Sequence, residues 1–497
     1  MEIKFAAEGR GDAIAVMAAD KGQLLGAGQA LDGKMGGALA KAIQTARFTG
    51  GVGQVLEVLS PAGVDAARVL VVGVGEAERS EPLTAEKFGA AAARRANGAG
   101  VQKLVLHTDP LPHVTAAEAA ARAAIGARLG AYRFDAYRTK LKPEQKPSLE
   151  EIAVVLDGPA AARSRYEKDA HLVDAVHFAR DLVSEPPNVL YPAAFAQRLK
   201  ALEKLGLEVE ILGEAEMEKL GMHALLGVGR GSVRESQLVV MKWTGLRNKN
   251  AQPIAFVGKG VTFDTGGISL KPAAGMEEMK GDMGGAAAVA GAMMAIAARK
   301  AKANVVGIVG LVENMPDGQA QRPGDIVTTM SGQTIEIQNT DAEGRLLLAD
   351  AVWYAQEKHN PTTVVDLATL TGAIIVSLGH DYAGLFSNDD DLAQAIASAG
   401  QAEGEPVWRL PLGPSYDKMI DSPFADMKNI AGKPAAGSII GASFIKRFIK
   451  DGVHWAHLDI AGAAWKPAPY DDPLSPAWAT GYGVRLLNRL IAHKFEE

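Results

Sequence analysis

The chain has 497 residues, 47% hydrophobic and 22% charged, with no cysteine and a formal net charge of −6. The lack of cysteine excludes thiol catalysis, thiolate metal sites and disulfides. The acidic balance gives no global attraction to nucleic acid or anionic lipid, and the length allows a large core in two or more domains.

The amino terminus, Met1 to Phe5, lacks a basic region followed by an apolar core, so no signal peptide is expected. No charge-free apolar run is long enough to cross a bilayer; the alanine-rich stretch after Asp282 comes nearest. Together with the missing thiols, this points to a cytoplasmic protein with no membrane partner.

The first part of the chain alternates strands and helices. Strands are predicted at Val69–Gly75, Lys103–His107 and Ile152–Leu156, with helices at Ala85–Ala99 and Ala116–Leu129. This order predicts a parallel or mixed sheet covered by helices. A further helix from about Ala160 to Val183 ends at Ser184-Glu185-Pro186-Pro187, because proline cannot continue a helix. The division expected is an amino-terminal domain at 1–158, a connecting helix at 159–183 and a second domain at 184–497. The second part alternates again, with strands at Glu208–Leu212, Gln237–Trp243, Ile254–Val257, Asn304–Val312, Thr363–Leu367 and His454–Ile460.

Two segments of the second part carry chemistry. Asn339-Thr340-Asp341-Ala342-Glu343-Gly344-Arg345-Leu346 crowds acidic and basic groups on a loop just before an apolar-periodic run, a costly arrangement unless something pairs them. Lys259-Gly260-Val261-Thr262-Phe263-Asp264-Thr265-Gly266-Gly267 follows an apolar strand, and its glycines predict a tight turn at the strand's end. Lys271 and Asp282 lie shortly downstream, ahead of a helix of small residues at Ala286–Lys300. Both acidic segments therefore sit at strand ends or helix starts, where open α/β sheets bind ligands.

Asp264, Asp282, Asp341 and Glu343 would repel one another if they converged without cations. Two divalent ions resolve that; oxygen-rich sites suit Mg²⁺, Mn²⁺ or, less strongly, Zn²⁺. Bridging carboxylates can hold two ions roughly 3.5–4 Å apart, the spacing of two-metal hydrolases. Taken singly, Asp282 and Asp341 read equally well as helix caps. Lys259 reads as a surface lysine or ion-pair partner of Asp264, or as a metal ligand through a neutral amine, and the sequence alone favours the former. Lys271 and Arg345 are surface cations or, beside a dinuclear centre, stabilisers of a developing oxyanion. Arg345 also suits a small oxyanion bound in bidentate fashion. Gly227–Ser232 reads as a turn rather than a phosphate cradle, and no His-Glu-x-x-His or Gly-x-Ser-x-Gly pattern occurs.

Asn339–Leu346 matches in full the Asn-Thr-Asp-Ala-Glu-Gly-Arg-Leu signature of the cytosolic leucine aminopeptidase family, the bacterial aminopeptidase A type. Gly258–Gly267, Ser269–Pro272 and Met279–Gly285 also resemble that family's metal-site segments, and the resemblance covers about the carboxy-terminal two-thirds of the chain. It implies an α/β fold of two domains: a smaller macro-like amino-terminal α/β domain and a larger carboxy-terminal α/β catalytic domain with a central mixed sheet. It implies a tightly held metal on Lys259, Asp264, Asp282 and Glu343, and an exchangeable one on Asp264, Asp341 and Glu343 with the Asp341 carbonyl. Manganese is expected first, with zinc or magnesium as alternatives. Lys271 and Arg345 become the catalytic positions, Arg345 holding bicarbonate as general base. Met279, Asn339, Thr369, Leu370 and Gly372 resemble positions that line the substrate.

The activity implied is release of unsubstituted, leucine-type residues from peptide amino termini in intracellular peptide turnover, by a homohexamer built as a dimer of trimers. A two-metal phosphoesterase is the rival hydrolytic reading. Nucleic-acid binding, an added property of some bacterial relatives, is not indicated by the net charge.

Overall fold

The computed structural model describes residues 1–249, 251–432 and 435–496. It divides into two compact units, 1–173 with 467–478, and 174–466 with 479–497. The helix expected as a connector forms over Pro159–Ser184 and runs through the division. The segment 467–478, expected in the second domain, packs with the first unit.

The first unit holds strands β1 (Glu2–Ala6), β2 (Ala13–Ala19), β3 (Val55–Leu59), β4 (Arg68–Gly75), β5 (Lys103–His107) and β6 (Glu151–Val155). They form one sheet in the order β1-β6-β5-β2-β4-β3, parallel except for β3 against β4. Strand β2, not predicted from sequence, is buried almost throughout and sits inside the sheet. The alanine-rich helices Pro82–Gly98 and Ala116–Gly130 pack into the same core as Phe88, Leu70 and Leu104. Small side chains let these helices approach closely, and aliphatic strand residues fill the space beneath them.

In the second unit the strands are β7 (Glu208–Leu212), β8 (Gln237–Thr244), β9 (Ile254–Asp264), β10 (Asn304–Asn314), β11 (Ile326–Thr328), β12 (Thr334–Glu336), β13 (Thr363–Ala368), β14 (Ala383–Ser387), β15 (Val407–Arg409), β16 (Met427–Lys428) and β17 (His454–Asp459). Eight of them make a mixed sheet in the order β15-β14-β17-β13-β9-β10-β8-β7, and β11-β12-β16 make a small sheet of their own. The central run β17-β13-β9-β10 is parallel.

Strand β9 is longer than expected: it continues through Gly258 and Gly260 to Asp264. Those glycines do not turn the chain; they clear space for the helix Gly284–Ala298. A Cβ on Gly258 would lie 2.7 Å from Ala286 Cα, and one on Gly285 would lie 2.0 Å from the Leu367 carbonyl oxygen. Close helix–strand approach explains why glycine interrupts an otherwise apolar strand. The tight turn comes later, at Gly266 and Gly267, with φ of +87° and +65°. The stretch Met276–Ala298 is long and apolar enough to cross a membrane, but its apolar part lies mostly buried inside the fold, as a core helix does.

Strand β13 pairs with β9 only as far as Leu367 opposite Gly258, and beyond that point β9 pairs with β10 alone, ending with Asp264 opposite Asn314. The chain leaves β9 toward β10 on one side and later returns on the other as β13. A crevice opens at such a switch point, beyond the carboxyl ends of the strands.

The helix Gly344–His359 is tied into this core by Asp350, which is fully buried. Its carboxylate accepts the Leu225 N–H at 2.9 Å and the Met330 N–H at 2.8 Å. Burial raises the Asp350 pKa to about 7, although backbone donors oppose the shift. The folded state therefore holds this proton more tightly than the unfolded chain, whose value is about 3.9. The resulting stabilisation is complete below that value and is lost as pH rises through about 7. Asp350→Asn removes the titration. Urea unfolding at about pH 5 and about pH 8 should show the wild type losing stability relative to the variant, by up to about 1.4 kcal/mol per pH unit. Parallel pH curves for the two proteins would refute the burial argument.

Candidate active site

The crevice is a cleft of about 350 Å³ lined by Lys259, Asp264, Lys271, Asp282, Asp341 and Glu343, together with Met279, Thr369, Leu370 and Gly372. These groups arrive from several elements. Lys259 and Asp264 stand on β9. Asp282 follows the 3-10 turn Met276–Gly281. Asp341 and Glu343 come from the loop ahead of the helix Gly344–His359, and Thr369 and Leu370 follow β13. Neither the helix after Asp282 nor the helix after Glu343 has a side-chain cap, so the capping roles that Asp282 and Asp341 could have served are not used.

Lys259 Nζ lies 2.7 Å from Asp282 Oδ1 and 2.9 Å from Glu343 Oε1, and donates to the Thr369 carbonyl at 2.8 Å. Lys271 Nζ lies 2.9 Å from Asp264 Oδ2 and pairs closely with Asp341 Oδ1. Carboxylate oxygens of Asp264, Asp341 and Glu343 all fall within 4.8 Å of one another. Asp264 Oδ1 accepts Asn314 Nδ2 at 2.8 Å and the Gly266 N–H at 2.9 Å, while Thr369 Oγ1 donates to Asp282 Oδ1 at 2.8 Å.

The electrostatics are strained in a definite direction. Burial pushes the carboxyls of Asp282, Glu343 and Asp341 upward, and neighbouring carboxylates add to the push. Burial also works against the Lys259 charge, but Asp282, Glu343 and Asp264 outweigh it and raise its pKa. Lys271 is raised in the same way, with Asp264, Glu343, Asp282 and Asp341 overcoming its burial. Lys259 is thus a buried ion-pairing ammonium in this arrangement, held by Asp282 and Glu343 rather than by the Asp264 partner that the residues alone suggested.

Two lysines do not complete the site. Asp282 Oδ2 and Glu343 Oε2 are buried without a hydrogen-bonding partner among the described residues. Buried carboxylate oxygens are ordinarily paired. Converging oxygens with unused lone pairs are the donor set of divalent cations, so the residues present fit a metal centre.

Arg345 and Asn339 do not line the cleft. Arg345 is buried, with Nη1 donating to the Asn429 carbonyl at 2.8 Å and Nε lacking a partner among the described residues. Burial lowers its pKa to about 10, partly offset by Glu343 and Asp459. Asn339 Oδ1 accepts the Asp341 N–H at 2.8 Å and so shapes the acidic loop.

Several supporting groups were not foreseen. Thr340 Oγ1 donates to the Gly266 carbonyl at 2.6 Å, and Asn314 Nδ2 reaches the Thr340 carbonyl at 3.1 Å. Asp459 at the end of β17 accepts Thr371 Oγ1 at 2.6 Å and the Leu370 N–H at 3.1 Å. Asn314 and Asp459 share one readable feature, a polar residue at the carboxyl end of a buried strand.

Comparison with known proteins agrees with this geometry. Residues 177–488 match the catalytic domain of the cytosol aminopeptidase family, and residues 15–141 match that family's N-terminal domain. A probable cytosol aminopeptidase of Caulobacter vibrioides is 60% identical over 484 residues, covering 97% of each chain. One from Afipia carboxidovorans is 54% identical, covering 93% of this chain and 91% of the relative. Among solved structures, a tomato leucine aminopeptidase mutant superposes with a TM-score of 0.88 at 34% identity, covering 99% of this chain and 96% of that one. The bottromycin maturation enzyme BotP in complex with Mn gives 0.84 at 36% identity, covering 98% and 99%. Fold and site together define a two-domain α/β peptidase that acts at peptide ends. The chain belongs to the cytosol aminopeptidase family.

The site also explains one glycine. A Cβ on Gly344 would lie 2.7 Å from Lys259 Cδ and Cε and 2.9 Å from its Nζ. Gly344→Ala should therefore push Lys259 off Asp282 and Glu343 while leaving the helix intact. Peptidase turnover is expected to fall by about 10²-fold with an unchanged circular dichroism spectrum. Wild-type turnover in the variant would show that the Lys259 position is immaterial.

Proposed function

We propose that this chain is a leucine-type aminopeptidase of cytoplasmic peptide turnover that works with two divalent cations, manganese in first place. The observation that carries the proposal is the convergence of Asp264, Asp282, Asp341 and Glu343 in one cleft, with buried carboxylate oxygens left unpaired. Lys259, Asp264, Asp282 and Glu343 would hold one ion; Asp264, Asp341 and Glu343, with the Asp341 carbonyl, would hold the other. The Mn complex of BotP, with the same overall fold, supports manganese. When bound, such ions polarise the scissile carbonyl and bring the pKa of a water toward neutrality.

The chain's own groups do the rest. Lys271 stands at the mouth of the cleft, 22% exposed, and its carboxylate neighbours keep it protonated. It is placed to donate to an oxyanion as negative charge develops there. Arg345 cannot serve as a base itself. Its unpartnered Nε is a donor for bicarbonate, the proposed proton carrier to the leaving amine. Met279, Thr369, Leu370 and Gly372 form the walls along which the substrate lies. A centre held by these carboxylates would take the free α-amine of the substrate as a ligand, which would confine cleavage to the amino terminus. The family's hexamer is carried over as the expected assembly.

Leucine p-nitroanilide should be hydrolysed and its N-acetyl form should not. Chelator treatment should abolish activity and added Mn²⁺ should restore it, while Asp264→Ala and Glu343→Ala should stay inactive though folded. Release of phosphate from a model ester without amino-acid release would favour the phosphoesterase reading. Robust turnover by either variant would remove the ligand assignment.

A further inference from the structure

Asn429 is fully buried at the end of β16, far in sequence from the acidic loop. Its backbone N–H donates to the Glu336 carbonyl at 3.1 Å, continuing the pairing of β16 with β12. Its side chain then reaches along the loop that carries Asp341 and Glu343. Oδ1 accepts the N–H of Gln338 at 2.8 Å and of Asn339 at 3.3 Å. Nδ2 donates to the carbonyls of Asn339 at 2.6 Å and Ala342 at 3.4 Å. The Asn429 carbonyl accepts Arg345 Nη1 at 2.8 Å. One residue therefore grips the backbone on both sides of Asp341 and also holds Arg345.

Only a side-chain amide does this. It presents an acceptor to two N–H groups and a donor to two carbonyls at once, without adding charge beside the carboxylates. Further ties on this loop come from Asn314, Asn339, Thr340 and Ser269. The small three-stranded sheet contributes no residue to the cleft wall, yet it delivers Asn429 to the loop.

We propose that Asn429 is a positioning residue that holds Asp341, Glu343 and Arg345 in mutual register and so sets the affinity of the ion bound by Asp264, Asp341 and Glu343. This rests on the two-cation reading above. Outer groups that orient metal ligands are typically worth 10–100-fold in affinity or activity.

The test uses the full-length protein freed of metal, titrated with Mn²⁺ while electron paramagnetic resonance counts the free ion. Asn429→Ala should weaken the weaker Mn²⁺ by roughly 10–100-fold, and kcat for leucine p-nitroanilide should fall more than KM rises. Asp426→Ala is the control. Asp426 pins the same strands by accepting the Thr334 N–H at 2.7 Å and Thr334 Oγ1 at 2.9 Å, and touches nothing in the acidic loop. It should lower the melting temperature while leaving Mn²⁺ affinity at the wild-type level. Wild-type Mn²⁺ affinity and kcat in Asn429→Ala would overturn the inference, as would equal weakening in Asp426→Ala. If Asn429→Ala does not fold, Asn429→Asp keeps the acceptor and loses both donated bonds; unchanged Mn²⁺ affinity there is equally fatal. A wild-type protein that binds no Mn²⁺ at all would sink the two-cation reading itself, and this inference with it.

Discussion

Like-charge repulsion among Asp264, Asp282, Asp341 and Glu343 in a buried crevice is the constraint around which the second unit is organised. Carboxylates in such a place drive one another toward protonation. Here Lys259 and Lys271 are interleaved among them, each ammonium shared by two acids. Two ammonium groups against four carboxylates still leave an excess of negative charge, and Arg345 does not line the cleft. Burying charge costs several kcal/mol per ion unless it is well paired. Such an imbalance is stable only in a fold that holds the groups together regardless, and it favours a strongly bound positive partner.

The sheet supplies that hold. Strand β9 outruns its pairing with β13, so the stretch from Lys259 to Asp264 borders the crevice on the β13 side. Glycine contacts bring the helix Gly284–Ala298 down onto the same strands, which sets Asp282 against Lys259. Gly344 opens just enough room for the Lys259 side chain to pass to Glu343. Packing geometry and charge placement are therefore one problem in this unit: the close contacts that need glycine also bring the charges into range.

The parts of this that a single sequence reveals are those in which the chemistry is local. Asn339 to Leu346 places two acids and an arginine within one loop, and the strand-end position of Asp264 and the position of Asp282 ahead of a helix follow from apolar runs beside them. The turn predicted from the glycines of Lys259–Gly267 falls at Gly266 and Gly267, whereas Gly260 lies inside the strand, because a gap made for close neighbours that arrive later in the chain looks locally like a bend. Asn429 had no local sign at all. It follows a two-residue strand, too short for periodicity to register, and its partners lie about ninety residues away. The attachment of 467–478 to the first unit was hidden for the same reason, being a long-range contact of a segment without regular structure.

The supports of the site also differ in kind from the site. Around the acidic loop they are neutral: Asn314, Asn339, Thr340 and Asn429 tie backbone carbonyls and N–H groups by hydrogen bonds alone. Carboxylate supports appear elsewhere, where Asp459 accepts the N–H of Leu370 on the cleft wall and Asp350 accepts N–H groups in the core. A further cation at the loop, beside Lys259 and Lys271, would have added a competitor for the carboxylates, and another anion would have deepened the repulsion that burial already amplifies. Amide and hydroxyl side chains avoid both effects. They fix where the acids stand without changing how strongly those acids attract a positive ion, so the geometry of the centre and its charge are set by separate residues.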